Sequence, residues 1–115
     1  MREDNPNTKP WRAAVASEAI DAMQGRPLLA GPLALEAVFY FPRPKSHYRS
    51  GAHAGELKPN APTHHTSKPD ADKLLRAVGD AITGIVCRDD SLLARVTSEK
   101  RYGTPRAEIT VQAIL

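Results

Sequence analysis

Lys68-Pro69-Asp70-Ala71-Asp72-Lys73-Leu74-Leu75-Arg76, continued by Asp80 and by the pair Asp89-Asp90, is the stretch that decides how this chain folds. Leu74, Leu75, Val78, Ala81, Ile82 and Ile85 recur at helical spacing and predict an amphipathic helix that Gly84 breaks. Asp72 has the right side chain for its N-cap. Five aspartates flank this one helix, interleaved with Lys68, Lys73 and Arg76. Hard cations such as Mg²⁺ take oxygen ligands, keep several waters, and are held by a few carboxylates together with substrate phosphates. The interleaved cations suit a site where phosphate comes close to such an ion.

The spacing of the acids constrains their geometry. Asp70 and Asp72 would diverge by about 200° on a helix, whereas in extended backbone they share a face. Pro69 biases Lys68 toward extended geometry, so the two carboxylates are expected to converge just ahead of a helix that starts at Asp72. The partial positive charge of that helix terminus favours anions. Asp72, Arg76 and Asp80 stand at i, i+4 and i+8, on one face of the helix. The plain alternative is an intrahelical ion pair worth a few tenths of a kcal/mol. Asp89 and Asp90 are adjacent, so in extended backbone only one of them joins the others.

Working outward, Thr8-Lys9-Pro10 reads as a helix start, and Trp11, Val15, Ala19 and Met23 form its stripe before Gly25 ends it. Trp11, as the first rung, is read as core in preference to a base-stacking platform. Leu33, Leu35, Ala37, Phe39 and Phe41 alternate along a strand that Pro42 and Pro44 close. Leu92, Ala94, Val96 and Ser98 alternate with Leu93, Arg95, Thr97, Glu99 and Arg101 in a second strand with one wet face. Tyr102-Gly103-Thr104-Pro105 then leads to Ala107, Ile109, Val111, Ala113 and Leu115, which predicts a C-terminal hairpin. The fold class expected is α/β (α+β): a small mixed, largely antiparallel sheet with two packed helices.

Residues 42–69 lack periodicity and carry Arg43, Lys45, Arg49, Lys58 and Lys68 against the single acid Glu56. This long basic loop is either an arm that grips a phosphate backbone, with Tyr48 available for stacking, or a solvated loop. His47, His53, His64 and His65 have no fixed mutual spacing there and are read as surface histidines.

A chain of 115 residues supports one core, and 16 Lys+Arg against 13 Asp+Glu give a net charge of +3 that permits nucleic-acid contact without requiring it. Cys87, the one cysteine, has no partner for an internal disulfide; it lies in an apolar run and is read as a buried core residue in a reducing, cytoplasmic setting. No zinc-type spacing, secretory h-region or run near the ~20 apolar residues of a membrane span is present in the sequence.

Together, Lys68-Pro69-Asp70-x-Asp72-x-Leu74-x-Arg76, Asp80-Ala81-Ile82-Thr83-Gly84 and Arg88-Asp89-Asp90-Ser91 resemble the RusA family of Holliday junction resolvases, over roughly residues 66–103. The resemblance implies a Mg²⁺-dependent endodeoxyribonuclease, with Mn²⁺ as a substitute ion, acting as a homodimer that nicks a four-way DNA junction symmetrically. It also implies Asp70, Asp72 and Asp90 as catalytic metal ligands and Asp80 or Asp89 as supporting acids. Lys68, Lys73, Arg76, Lys100 and Arg101 would then lie near phosphates. Arg76 stands where the family typically has lysine, and Lys73 where asparagine is frequent. Family members open with a proline-rich basic strand, whereas this chain enters its first helix at Thr8, so the single domain is expected to lack that strand. Two alternatives accompany this reading: a junction-binding protein with impaired catalysis, and an accessory interaction protein without DNA affinity.

Overall fold

The computed structural model describes residues 8–114. Helix α1, Thr8–Met23, is followed by strand β1, Leu33–Phe41; helix α2, Ala71–Ile82, by strands β2, Leu93–Tyr102, and β3, Arg106–Ala113. The result is an α+β fold: two helices against a three-stranded mixed sheet of order β2-β1-β3.

The most apolar strand takes the centre. Leu33, Leu35, Ala37 and Phe39 on one face of β1 are buried, as is Ala34 on the other. On the core face they meet Met23 of α1, Val78 and Ile82 of α2 and Val86, with Trp11, Val15 and Ala19 packed alongside. Trp11 is therefore core, its ring 6.0 Å from that of Phe39. Beyond Met23 the chain turns through positive φ at Gln24 and Gly25. Arg26 folds back there, donating from Nε to the Met23 carbonyl at 2.9 Å and from Nη2 to that of Ala22 at 2.8 Å. A cation thereby satisfies carbonyls at the negative end of the helix. Cys87 is fully buried, and burial pushes its thiol pKa up.

The expected hairpin does not form. β2 runs parallel to β1, β3 runs antiparallel to it, and β1 lies between them. The sheet accordingly has one parallel and one antiparallel pairing, where mostly antiparallel pairing was expected. Residues 103–105 cross over the end of β1, a span of two inter-strand spacings, roughly 10 Å, that three residues can cover. Gly103 donates its N–H to the Phe41 carbonyl at 2.9 Å. A Cβ at Gly103 would meet Tyr40 Cδ1 at 2.9 Å, so only glycine lets the crossing lie this close. A two-strand pattern with a short turn is the same in sequence for a hairpin and for this bridge. The arrangement puts the charged strands at the edges, where Lys, Arg and Glu discourage further pairing.

A bulge also alters β2. Leu33 pairs with Leu93 but Ala34 pairs with Arg95, leaving Ala94 as the extra residue. Leu93 thus joins Val96, Ser98, Lys100 and Tyr102 on the helix side, whereas strict alternation from the sequence placed it on the wet face with Arg95 and Thr97. In β3, Ile109 and Val111 face the core as expected; Leu115 lies outside the described residues. So do residues 1–7, where the family's opening strand would stand.

Residues 42–69 have structure of their own. A 3₁₀ turn at Lys45–His47 precedes a bridge between Tyr48 and Leu57, and a second at Gly51–His53 lies within the loop that bridge closes. Arg43 donates to the Pro62 carbonyl at 2.8 Å and lies over the Tyr102 ring. His65 is buried, contrary to the surface reading: it stacks on Phe41 at 4.2 Å between centroids and meets Tyr102 edge-on. Its Nδ1 has no hydrogen-bond partner.

Candidate active site

The acidic helix start is built from β2 and α2 together. Asp70 is the residue that caps α2, in extended conformation, with its carbonyl accepting from Leu74 N at 3.1 Å. Asp72 is in the first turn and not at the cap as expected; the helix begins two residues earlier because Ala71 continues it without strain. The Asp70 side chain makes no capping bond and instead pairs with Lys73, Oδ2 to Nζ at 3.7 Å.

An open groove of about 280 Å³ runs between α2 and the start of β2. Asp72, Leu75, Arg76 and Gly79 line it from the helix; Leu35, Leu93 and Val96 form its apolar floor, and Asp90 closes it from the turn before β2. Positions 72, 75, 76 and 79 share one helical face. The bulge at Ala94 matters here, because it turns Leu93 and Val96 into the groove together. Gly79 was not singled out from sequence. A Cβ there would stand 4.0 Å from Asp90 Oδ2, an ordinary contact, so the Asp90 carboxylate lies directly beside the helix at this position.

Asp80 does not line the groove. Eight residues turn an α-helix through about 800°, some 80° past the starting face, and Asp80 points toward α1, 3.8 Å from Arg12. Asp89 is not among the groove-lining residues, although its side chain hydrogen-bonds that of Asp90; its carboxylate accepts from Ser91 N at 3.3 Å and caps the 3₁₀ turn Asp90–Leu92. That bond is the main cause holding its pKa below the ordinary value. Asp90 is shifted the other way. Its hydrogen bond with Asp89 contributes most, followed by desolvation and the negative charges of Asp89 and Asp80.

The basic residues divide. Arg76 lines the groove. Lys68 is exposed just before the acidic pair. Lys100 and Arg101 are neighbours in β2 and therefore on opposite sheet faces. Lys100 faces the segment entering α2, donating to the carbonyls of Ser67 at 2.7 Å and Pro69 at 3.0 Å. Arg101 is on the far face, paired with Glu99 and with the Tyr40 hydroxyl.

This donor set suits a hard cation. Asp72 and Asp90 share one groove, and the pKa of Asp90 is raised first by its hydrogen bond with Asp89, then by desolvation and by the charges of Asp89 and Asp80. Among the described residues no three His, Cys, Asp or Glu side chains converge closely enough to hold a metal by themselves. An ion here would complete its shell with water and phosphate oxygens, as Mg²⁺ does. Two carboxylates, an arginine and an apolar floor line one open groove.

The chain is thus a small α+β domain with a groove lined by Asp72, Arg76 and Asp90 between α2 and β2. The family profile described as Endodeoxyribonuclease RusA matches residues 2–112, nearly the whole chain and well beyond the motif region. The chain belongs to the endodeoxyribonuclease RusA family. It is also similar to the uncharacterized protein YqaN of Bacillus subtilis (strain 168), with 32% identity over 104 residues, covering 84% of this chain and 69% of that protein. No described helix is long and apolar enough to cross a membrane.

Proposed function

We propose that this chain is a Mg²⁺-dependent endodeoxyribonuclease that resolves four-way DNA junctions by paired nicks, acting as a homodimer. The observation that carries the reading is the groove in which Asp72, Arg76 and Asp90 meet, in a chain of the endodeoxyribonuclease RusA family. Asp72 and Asp90, joined by Asp70 on release from Lys73, would hold the ion. When bound, Mg²⁺, or Mn²⁺ in its place, offsets charge on the phosphate and lowers the pKa of an attacking water.

The chain's own residues supply the rest. Arg76 offers a planar fork to non-bridging phosphate oxygens and orients the scissile group against the carboxylates. Leu35, Leu93 and Val96 give the groove an apolar floor beneath these charges. Lys68 and Lys73 extend the positive rim along the strand's path. Arg101, on the opposite face, would contact DNA only from a second arm of the junction.

The deciding experiment is cleavage of synthetic junction, flap and duplex DNA by the wild type and Asp70→Asn, with and without Mg²⁺. Mg²⁺-dependent junction cleavage by the wild type alone supports the proposal. Intact junctions beside a working control enzyme would sink it. The Lys73–Asp70 pair and the absence of a preformed three-acid cluster among the described residues favour one second reading, a junction-binding protein with impaired catalysis. Junction binding insensitive to metal and to Asp70→Asn, without cleavage, selects it. Equilibrium sedimentation of the free protein tests the dimer.

A further inference from the structure

The segment carrying Asp70 and Asp72 is tied to β2 by side chains at strand spacing. Ser98 and Lys100 are two residues apart and face the same way, toward α2. Ser98 Oγ donates to the Ala71 carbonyl at 2.8 Å. Lys100 Nζ donates to the Pro69 carbonyl at 3.0 Å and the Ser67 carbonyl at 2.7 Å. The carbonyls of residues 67, 69 and 71 are thus all bound from one strand, so side chains replace the rungs of a backbone ladder. The peptide groups immediately before Asp70 and immediately before Asp72 are held.

Further back, Ser67 Oγ meets His65 Nε2 at 3.4 Å, and His65 is locked between Phe41 and Tyr102. The approach to α2 is therefore fastened to the central and parallel strands along its whole length. Two of the three Lys100 protons are committed to these carbonyls.

We propose that Lys100, assisted by Ser98, is a positioning residue for the acidic site, fixing the backbone that presents Asp70 and Asp72, and does not contact DNA phosphate. The proposal rests on the reading of those aspartates as site acids. It has the geometry such a role needs: β2 also forms the groove floor through Leu93 and Val96, so one strand sets both the floor and the acids above it. Arginine can reach the same carbonyls, whereas methionine keeps the stem and loses the bonds.

Lys100→Met, Lys100→Arg and Ser98→Ala separate this role from DNA contact. Three measurements are needed: junction cleavage with Mg²⁺, junction affinity against salt without metal, and amide hydrogen exchange. In Lys100→Met, kcat should fall roughly tenfold to a hundredfold, the range expected when reacting groups shift by about 1 Å. KM should stay within about twofold, and Lys100→Arg should recover much of the loss. Exchange should quicken at residues 67–74, including the Leu74 amide, in Lys100→Met and Ser98→Ala, while β1 keeps its protection. The salt slope of junction affinity should match wild type, since losing a phosphate contact would lower it by about one. A slope lower by about one, or unchanged exchange across 67–74, overturns the proposal. A wild type that cuts no junction refutes the endonuclease reading instead, and the exchange measurement still decides what Lys100 does.

Discussion

Asp90 and Asp89 share a hydrogen bond and shift in opposite directions, Asp90 up and Asp89 down. The folded pKa of Asp90 is raised, so the folded state binds its proton more tightly than the unfolded chain does. That contribution to stability is complete below the ordinary aspartate range and is lost as pH rises through the folded pKa, leaving the ionised carboxylate a liability at neutral pH. Asp90→Asn should abolish Mg²⁺-dependent cleavage. Thermal melts should also show that Mg²⁺ stabilises the wild type more than this variant. His65 follows a different sign. Burial, then the charge of Lys100, lowers its pKa below the usual value near 6.5. Its stabilising effect is present above that value and is lost as pH falls toward the folded pKa, where the unfolded chain takes up a proton that the folded one resists. His65→Phe keeps the ring against Phe41 and Tyr102 and removes the unpartnered Nδ1. Denaturant melts between about pH 7 and pH 5 should show a shallower loss of stability in this variant than in wild type.

At the scale of elements, α2 combines a stability cost with a use. Gly79 is buried within the helix, where glycine is worth roughly 0.5–1 kcal/mol less than alanine. The nearest heavy atom to an added Cβ is Asp90 Oδ2 at 4.0 Å, an ordinary contact. Gly79→Ala should accordingly stabilise the protein by up to about 1 kcal/mol in urea unfolding, yet narrow the groove and slow cleavage. Loss of activity without any gain in stability would show that the helix is strained at this point. Both helices, their stop signals at Gly25 and Gly84, and the span of β1 were legible in the sequence, because periodic burial writes itself directly into residue spacing. The bulge at Ala94 was not legible, since one extra residue moves Leu93 to the face of Val96 without any change in composition.

For the whole molecule, the distribution of charge carries the consequence. Lys45, Lys58 and Lys68 are exposed on the segment between β1 and α2. Arg43 is held against Tyr102 and Pro62, and Arg49 against Glu56 at 3.3 Å. If this segment grips the backbone, Lys45→Ala with Lys58→Ala should lower the salt slope of junction affinity by up to about two. Cleavage at saturating junction should be retained, because neither residue lines the groove. An unchanged slope would return the segment to a solvated loop.

The sequence alone determined which residue types surround α2, that the domain is built of two helices and a small sheet, and the family to which it belongs. Those follow from local spacing and from a motif that stays recognisable without coordinates. Tertiary structure alone decided that β1 separates β2 from β3, that Asp80 turns to Arg12, and that Lys100 binds the carbonyls ahead of Asp70. The physical reason is common to all three. Strand order, helical drift over two turns and a side chain's choice between phosphate and peptide depend on what packs nearby, and residues distant in sequence set that.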